Sequence, residues 1–543
     1  MNRLNNSTSK NLPQNGNILD GFKALQSLIP VNDGTRKFIQ LSADAYDVPC
    51  PIVGNNIEST LNITAGDHDI SQINDSFIAV TQNITIQIPQ IAATAFPTSG
   101  SPTTTPTYFF GVKSSNQLIR QMKVLHGTSE KKITTDYLSQ ECIREGFAFS
   151  NLKGAVEKRG KKGIHTTYGM VEQYSPEICG VYISADQFKN GNRSATVQMK
   201  SLIPISDLLP FQSFSLYPSN IVGALAIKVM FTEASFIWCQ VPPQAVLDAS
   251  NYMNNEVDVL NVDFQALSSY DRFFHQIGDP GYLCDYVTNA YARVQVTPII
   301  TNITTTQFRS HLMGFGAKPE TLQAISQMLA SQPLILPAQE LDYVAYSTVP
   351  NAGGLDTSIQ YTYDNVESIS VMFPTTVNQL TCFYNPNVTN LQITIDNKQF
   401  PPNSISTNVD NSPEFLVFQL NASDLDGAIE PTKSWLYSIT QPRHNSSGVR
   451  LANTIHDNSD FMCNISLERS QGGHVFDGYS TAIGVNTKLK FSPLFTGNND
   501  VYYIPDPTNT AIHPPAPQLW MCRDTFWVLG NKSIQYVKKG APR

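Results

Sequence analysis

The sequence predicts an all-β protein of at least two sandwich domains, and three observations carry that reading. The chain has 543 residues, more than one hydrophobic core supports. Short apolar-alternating runs bounded by Gly, Pro and Asn follow one another along most of its length. Only 15% of its residues are Asp, Glu, Lys or Arg, against roughly 25% in ordinary globular domains. Polarity comes instead from Asn, Ser, Thr and Gln, as in Ser101-Pro-Thr-Thr-Thr-Pro-Thr107 and Asn403-Ser-Ile-Ser-Thr-Asn408. Neutral polar surfaces dotted with β-branched side chains suit strands, turns and wide lateral contacts that must not repel one another. Apolar residues, at 41%, suffice to fill the cores.

Residues 1–44 read as a polar N-terminal arm with one apolar patch at Phe22-Lys-Ala-Leu-Gln-Ser-Leu-Ile-Pro30, ordered only where something holds it. The first sandwich is assigned to 45–250. Its strands fall at 59–64, 77–88, 118–125, 195–204 and 222–231, with a Pro/Thr/Ser loop at 95–107 and a turn at His126-Gly127. The run 222–231 is apolar enough for a strand buried on both faces. Residues 251–287, rich in Tyr, Asp and Phe, read as the connection between halves, and 288–543 as the second sandwich.

The second half opens with a strand at 292–300. One helix follows. Pro319 stands in its first turn, Glu320 suits its positive end, and Leu322, Ile325 and Leu329 share a face. Pro333 and Pro337 are read as ending it. Further strands are predicted at 341–348, 358–363, 367–373, 391–395, 415–420, 461–467, 487–491, 518–529 and 533–537. Many short strands with almost no helix mean sandwiches or barrels. The halves also echo each other. Leu118-Ile-Arg-Gln-Met-Lys-Val-Leu-His-Gly127 and Leu391-Gln-Ile-Thr-Ile-Asp-Asn-Lys-Gln-Phe400 are both alternating strands entering a polar turn, each midway through its half. The 199–231 and 489–537 regions both close their halves with paired apolar strands.

In this order of pieces the chain resembles double jelly-roll major capsid proteins of the adenovirus, virophage and Maverick/Polinton-like lineage. Four segments carry the likeness. The first is 118–127 with Glu141-Cys-Ile-Arg-Glu-Gly-Phe-Ala-Phe149 downstream. The second is Ile203-Pro-Ile-Ser-Asp-Leu-Leu-Pro-Phe211 leading into 222–231. The third is the strand and turn at 391–401, and the fourth is Asn464-Ile-Ser-Leu-Glu-Arg-Ser470 with the C-terminal pair 518–537. The resemblance implies two tandem jelly-roll β-sandwiches (a double jelly roll) with long loops and a few short helices. It also implies homotrimeric capsomers of pseudo-hexagonal outline, tiling an icosahedral shell around a double-stranded DNA genome. Its partners would be other copies of the chain, then penton and minor capsid proteins.

The formal net charge of −8 argues against tight non-specific binding of nucleic acid by the whole chain, so contact with a genome is expected to be at most indirect. Lys158-Arg159-Gly-Lys161-Lys162 is the one dense basic cluster. It reads as a solvated loop tip, with a nuclear-import signal or a genome-facing patch as the sharper alternatives. The eight cysteines, at 50, 142, 179, 239, 284, 382, 463 and 522, form no CxxC pair. They read as small buried hydrophobes in a reducing compartment, with a few disulfides as the alternative. The first residues hold no apolar core, so no secretory signal is expected, and no apolar run approaches the roughly 20 residues that span a bilayer. The expected location is the virion, after synthesis inside a host cell.

Chemistry is poorly supplied. The sequence has no GxxxxGK[ST], HExxH, GxSxG or complete GxGxxG; Gly314-Phe-Gly316 lacks its third glycine. His68, between Asp67 and Asp69, invites a metal or acid–base role but reads as a solvated hairpin tip. His474 reads as part of a turn anchored by Phe476, and Asp500-Val-Tyr-Tyr-Ile-Pro-Asp506 as a strand running into a Pro turn. No enzyme activity, cofactor or metal is expected. The rival function is a carbohydrate-binding β-sandwich, lectin-like or for attachment. It is disfavoured because three of four tryptophans, Trp238, Trp520 and Trp527, sit in apolar strands rather than on a sugar platform.

Overall fold

The computed structural model describes residues 36–42, 49–50, 59–89, 107–112, 115–134, 179–184, 187–188, 191–211, 214–241, 275–279, 281–283, 294–345, 354–360, 366–374, 380–383, 388–395, 397–407, 461–467, 486–492 and 516–537. The chain begins with β1 (Arg36–Ser42), β2 (Pro49–Cys50), β3 (Ser59–Asn62), β4 (Ile70–Gln87) and β5 (Thr107–Val112). Next come β6 (Ile119–His126), β7 (Ser129–Thr134), β8 (Cys179–Ser184) and β9 (Ser194–Pro204). After a short helix α1 (Ser219–Val222) come β10 (Leu225–Phe231), β11 (Phe236–Val241), β12 (His275–Gln276), β13 (Gly281–Leu283), β14 (Val294–Val296) and β15 (Ile299–Phe315).

Eight of these, taken in chain order as β1, β3, β4, β6, β7, β9, β10 and β15, pair 1-8-3-6 in one sheet and 2-7-4-5 in another. Helix α2 (Pro319–Ser331) follows. Then come β16 (Leu334–Ala345), β17 (Leu355–Gln360), β18 (Val366–Met372), β19 (Thr389–Ile395), β20 (Lys398–Ile405), β21 (Cys463–Ser466), β22 (Asn486–Ser492) and β23 (Gln518–Gly530). Their sheets, β16-β23-β18-β21 and β17-β22-β19-β20, repeat the same two orders. Eight antiparallel strands paired in this way form a jelly roll. The chain makes it twice. A last strand, β24 (Ser533–Val537), adds to β23 through a two-residue loop in which Lys532 is left-handed.

The first roll is extended upward. β5 and β11 continue β6 and β10 beyond short 3₁₀ turns and form a further sheet, β12-β11-β5-β8. The long strands β4 and β15 face both layers. Ile78, Val80, Phe308 and Leu312 pack with Val124 and Ile227, whereas Ile84, Ile86 and Ile303 pack with Phe110 and Trp238. Bulges where β4 meets β15, as at Thr305/Gln307, let an 18-residue strand bend over two partner sheets.

The echo seen in the sequence is a structural equivalence. β6–β7 and β19–β20 are the fourth and fifth strands of their rolls, and each pair is a two-residue-loop hairpin. Gly127 and Asn397 take the left-handed conformations in those loops, which glycine and asparagine adopt most readily. Strands predicted at 59–64, 195–204, 487–491, 518–529 and 533–537 are present to within a few residues, and the helix starts at Pro319 as predicted. The predicted strand at 415–420 lies outside the described residues.

Three expectations are corrected. The strand predicted at 292–300, read as opening the second half, covers β14 and only the first residues of β15, and β15 is the eighth strand of the first roll, hydrogen-bonded to β1, β2 and β4. The segment 251–287 therefore falls between the seventh and eighth strands of that roll, and α2 joins the two rolls. Pro337 does not end the helix. It lies in β16, an edge strand, where a missing N–H donor costs no ladder bond on the open side.

His68 is likewise not solvated but 1% exposed, because Gly314 makes room for it. A Cβ added at Gly314 would stand 2.4 Å from the imidazole Cγ and 2.7 Å from the Ile70 carbonyl oxygen. The glycine of the incomplete phosphate motif thus serves close packing. Gly314→Ala should destabilise the protein by about 1–3 kcal/mol through overpacking. In urea unfolding, His68→Ala should recover part of that loss in the double variant, since the ring supplies the nearest clash.

Candidate functional site at the seam between the rolls

Among the described residues, a cluster of buried polar and charged groups lies where the two rolls meet. Strands β16 and β23 present Leu336, Ala338 and Glu340 beside Trp527, Thr525 and Arg523, which pair across the ladder. Trp527 pairs in turn with Tyr536 of β24. The apolar part of this face enters the first roll. Trp527 is fully buried, stacks on Phe211 at 6.5 Å and meets Phe214 edge-on at 5.7 Å. Its indole N–H donates to the Pro210 carbonyl oxygen at 2.7 Å, so the polar handle of the largest seam side chain is satisfied from the other roll.

The socket is built by the segment that follows β9. Leu208, Phe211 and Phe214 turn inward through successive tight turns, in which the Phe211 and Phe214 amides donate to the Leu208 and Phe211 carbonyls. Ile325 and Leu329 of α2 close the same core with Leu334, Leu529 and Ile534, so one hydrophobic cluster runs through both rolls. Leu322, predicted on the same helix face, is partly buried against it. The backbone fastens it as well: the Lys532 amide donates to the Ile221 carbonyl oxygen at 3.0 Å. At another point Gln276 Oε1 accepts from the Leu380 amide at 2.6 Å and the Thr381 hydroxyl at 3.3 Å.

Beside this apolar contact lies a buried ionic cluster. Lys132 of β7 reaches Glu340 at 3.1 Å, and the two side chains are 2% and 4% exposed. Arg523 lies 3.5 Å from the other Glu340 oxygen and 2.6 Å from Asp342, which is 21% exposed. Lys132 Nζ donates to the Tyr536 phenol oxygen at 2.6 Å and sits 4.1 Å above the ring. That phenol is also within hydrogen-bond distance of Thr525 Oγ1, at 2.8 Å, and of Glu340 Oε2, at 3.3 Å. Two cations and two anions balance, as they must where water is largely excluded. Burial pushes the Tyr536 hydroxyl well above its ordinary range, and the Glu340 carboxylate beside it pushes the same way.

These groups position and hold the two rolls against each other. Among the described residues no group of three or more His, Cys, Asp and Glu is placed to hold a metal ion, and no helix is long and apolar enough to cross a membrane. Near His68, the Asp69 carboxylate accepts from the Asn220 side chain at 2.8 Å and the Ala317 amide at 2.7 Å, pinning the entry to α2. Lys158, Arg159, Lys161 and Lys162 lie outside the described residues, as do His474, Asp500 and Asp506. Cys382, Cys463 and Cys522 are buried, as the hydrophobe reading expects. The seam was missed from sequence. Its available signal was Glu340, Asp342 and Arg523 within largely apolar strands.

No family model matches the chain, and no curated protein matches its sequence. Among solved structures it is similar to PBCV-1 Vp54 fitted into a reconstruction of the virophage Sputnik, with a TM-score of 0.43, 8% identity, and coverage of 94% of this chain and 99% of that one. For the Sputnik virophage structure the values are 0.44, 10%, 94% and 90%. For the mavirus major capsid protein they are 0.39, 9%, 95% and 92%.

Two outcomes test the seam. Trp527→Ala should cost about 3–5 kcal/mol in chemical unfolding, because it leaves a cavity and an unpaired Pro210 carbonyl. Tyr108, Tyr217 and Tyr536 all hold their hydroxyls neutral by burial, with folded pKa values raised above the unfolded one. Their contribution is fully present below about pH 10 and is lost as pH rises beyond it. Stability measured between pH 9 and 11 should therefore fall with pH, and less steeply in Tyr536→Phe.

Proposed function

We propose that this chain is the major structural subunit of an icosahedral viral capsid, assembling as a homotrimer whose six rolls give a pseudo-hexagonal capsomer around a double-stranded DNA genome. One observation carries the reading: two jelly rolls of identical strand order are joined through one continuous core, so the chain behaves as a single building block. Such a body has a mechanical use. Repeated modest interfaces between rigid blocks give a shell strength that no single contact supplies.

Further support comes from where the resembling segments fall. The segments at 118–127 and 391–401 are the equivalent fourth strands with their turns, 203–211 supplies the seam socket, and 518–537 supplies the strands that enter it. The division that goes with this reading puts the first roll at 36–315, the linking helix at 319–331 and the second roll from 334 onward. A role without catalysis, location in the virion, and penton and minor capsid proteins as partners belong to the same proposal. So does a loop-tip, import or genome-facing role for the basic cluster Lys158-Arg159-Gly-Lys161-Lys162. The carbohydrate-binding alternative gains nothing from Trp238, Trp520 and Trp527, which are all buried.

Light scattering on purified protein at micromolar concentration should return a mass three times that of the 60.0 kDa chain. Electron microscopy should then show three-fold particles of hexagonal profile. A stable monomer would overturn the reading, and clear hits on a glycan array would favour the lectin.

A further inference from the structure

We propose that the first roll opens in two steps: its upper sheet, β12-β11-β5-β8, comes away as a cooperative unit along a belt of buried polar side chains while the lower core and the seam stay closed. Among the described residues, the buried apolar side chains of this roll fall into two clusters with no member in common. The lower one, with Val80, Val124, Ile227 and Phe308, continues into the second roll through Trp527. The upper one, with Ile84, Phe110, Trp238 and Ile303, draws all its members from residues 84–303. The strands that cross from one cluster to the other change to a buried polar side chain between them. On β4 it is Gln82, between Val80 and Ile84; on β9 it is Ser201, between Met199 and Ile203. On β15 it is Thr305, between Ile303 and Phe308. Where β5 gives way to β6 the buried polar residues are Ser115 and Gln117, and where β10 gives way to β11 they are Thr232 and Ser235.

The belt holds itself together by hydrogen bonds. Gln82 Nε2 donates to Thr305 Oγ1 at 3.5 Å, the Ser115 hydroxyl to the Leu202 carbonyl at 2.6 Å, and the Ser235 hydroxyl to the Thr232 carbonyl at 2.7 Å. Such bonds are exchanged for bonds to water on opening and contribute little net adhesion, whereas apolar burial is the dominant cohesive term. Apolar contact across the belt comes from Phe231, which packs against both clusters. The backbone changes register at the same level, between Thr305 and Gln307 where β15 meets β4, and between Met230 and Phe231 where β10 meets β6. Layers with separate cores have separate free energies of opening. The lower cluster cannot open without breaking into both rolls, whereas the upper one belongs to the first roll alone, so the upper sheet opens first. Its contact with the second roll through Gln276, Leu380 and Thr381 is a polar one. The inference concerns one chain and stands whether or not copies assemble.

Hydrogen exchange by mass spectrometry on the full chain, corrected for intrinsic rates, reads the two steps. The comparison is between central strands, β5 and β11 above the belt and β6 and β10 below it. Peptides covering 107–112 and 236–241 should exchange together, about tenfold or more faster than those covering 119–126 and 225–231. Phe110→Ala should speed the upper group by on the order of a hundredfold and leave the lower group within about twofold. Ile227→Val should speed the lower group by about two- to tenfold and leave the upper one unchanged. The double variant Gln82→Leu/Thr305→Val, which joins the two clusters through apolar contact, should slow the upper group by about threefold or more. One common rate in the native chain overturns the proposal, and so does a Phe110→Ala variant that speeds both groups alike. An upper group no slower in the double variant overturns the belt as the boundary. If Phe110→Ala fails to fold, Phe110→Leu carries the same comparison. Light scattering of the same samples separates failure of the two-step opening from failure of trimer assembly.

Discussion

The structure depends on a burial requirement that neither roll meets alone. Trp527, Leu529, Leu334 and Leu336 stand on strands of the second roll, yet their buried surroundings include Phe211, Phe214 and Ile221 of the first. A fully buried tryptophan side chain is among the largest apolar surfaces a chain can remove from water. Separating the rolls would return that surface, and the Pro210–Trp527 hydrogen bond, to solvent. The relative placement of the two sandwiches is thus set by the same force that folds each of them. That is what distinguishes this arrangement from two domains on a tether.

The ionic cluster beside the core answers a different need. Apolar contact is non-directional and tolerates sliding. The pairings Lys132–Glu340 and Arg523–Asp342, with the Tyr536 phenol between Lys132 and Thr525, tolerate little. A shift of one strand residue would take Arg523 off Glu340 in the ladder and set it opposite Gln339 or Leu341. Buried ion pairs are weak contributors to stability but strong discriminators among alternative registers. The seam combines an apolar part that supplies adhesion with an ionic part that selects one geometry.

How much of this was legible in the sequence varies with the range of the interaction. Local order was legible. The equivalent strand-and-turn units at 118–127 and 391–400 were seen as an echo, because alternation and a Gly or Asn turn are written within ten residues. The helix at Pro319 was seen for the same reason. Partnership was not. Periodicity marks a strand at 292–300 but misses most of β15, and it does not say that this strand closes the first roll instead of opening the second. His68 shows the same limit. A Gly-Asp-His-Asp string looks solvated until Gly314, remote in the chain, leaves room for the ring. The seam joins residues as far apart as Pro210 and Trp527, or Lys132 and Tyr536. No window along the chain contains both ends.

Duplication of the roll also explains why the seam residues read as exceptions to strand chemistry. In a lone sandwich each strand buries one face and wets the other, and polar residues alternate accordingly. β23 cannot alternate in that way, because one face meets its own roll's interior and the other also lies covered. Leu519, Trp520, Met521 and Cys522 are consecutive and all buried. From Leu519 to Cys522 the strand is covered on both faces and offers no wet side for a charge. Arg523 is therefore compatible with the strand only because Glu340 stands opposite it in the ladder and Asp342 lies within reach. The charge and its partners form one solution to the fusion of two rolls, so a change to any member is felt across the seam and not within a single sheet.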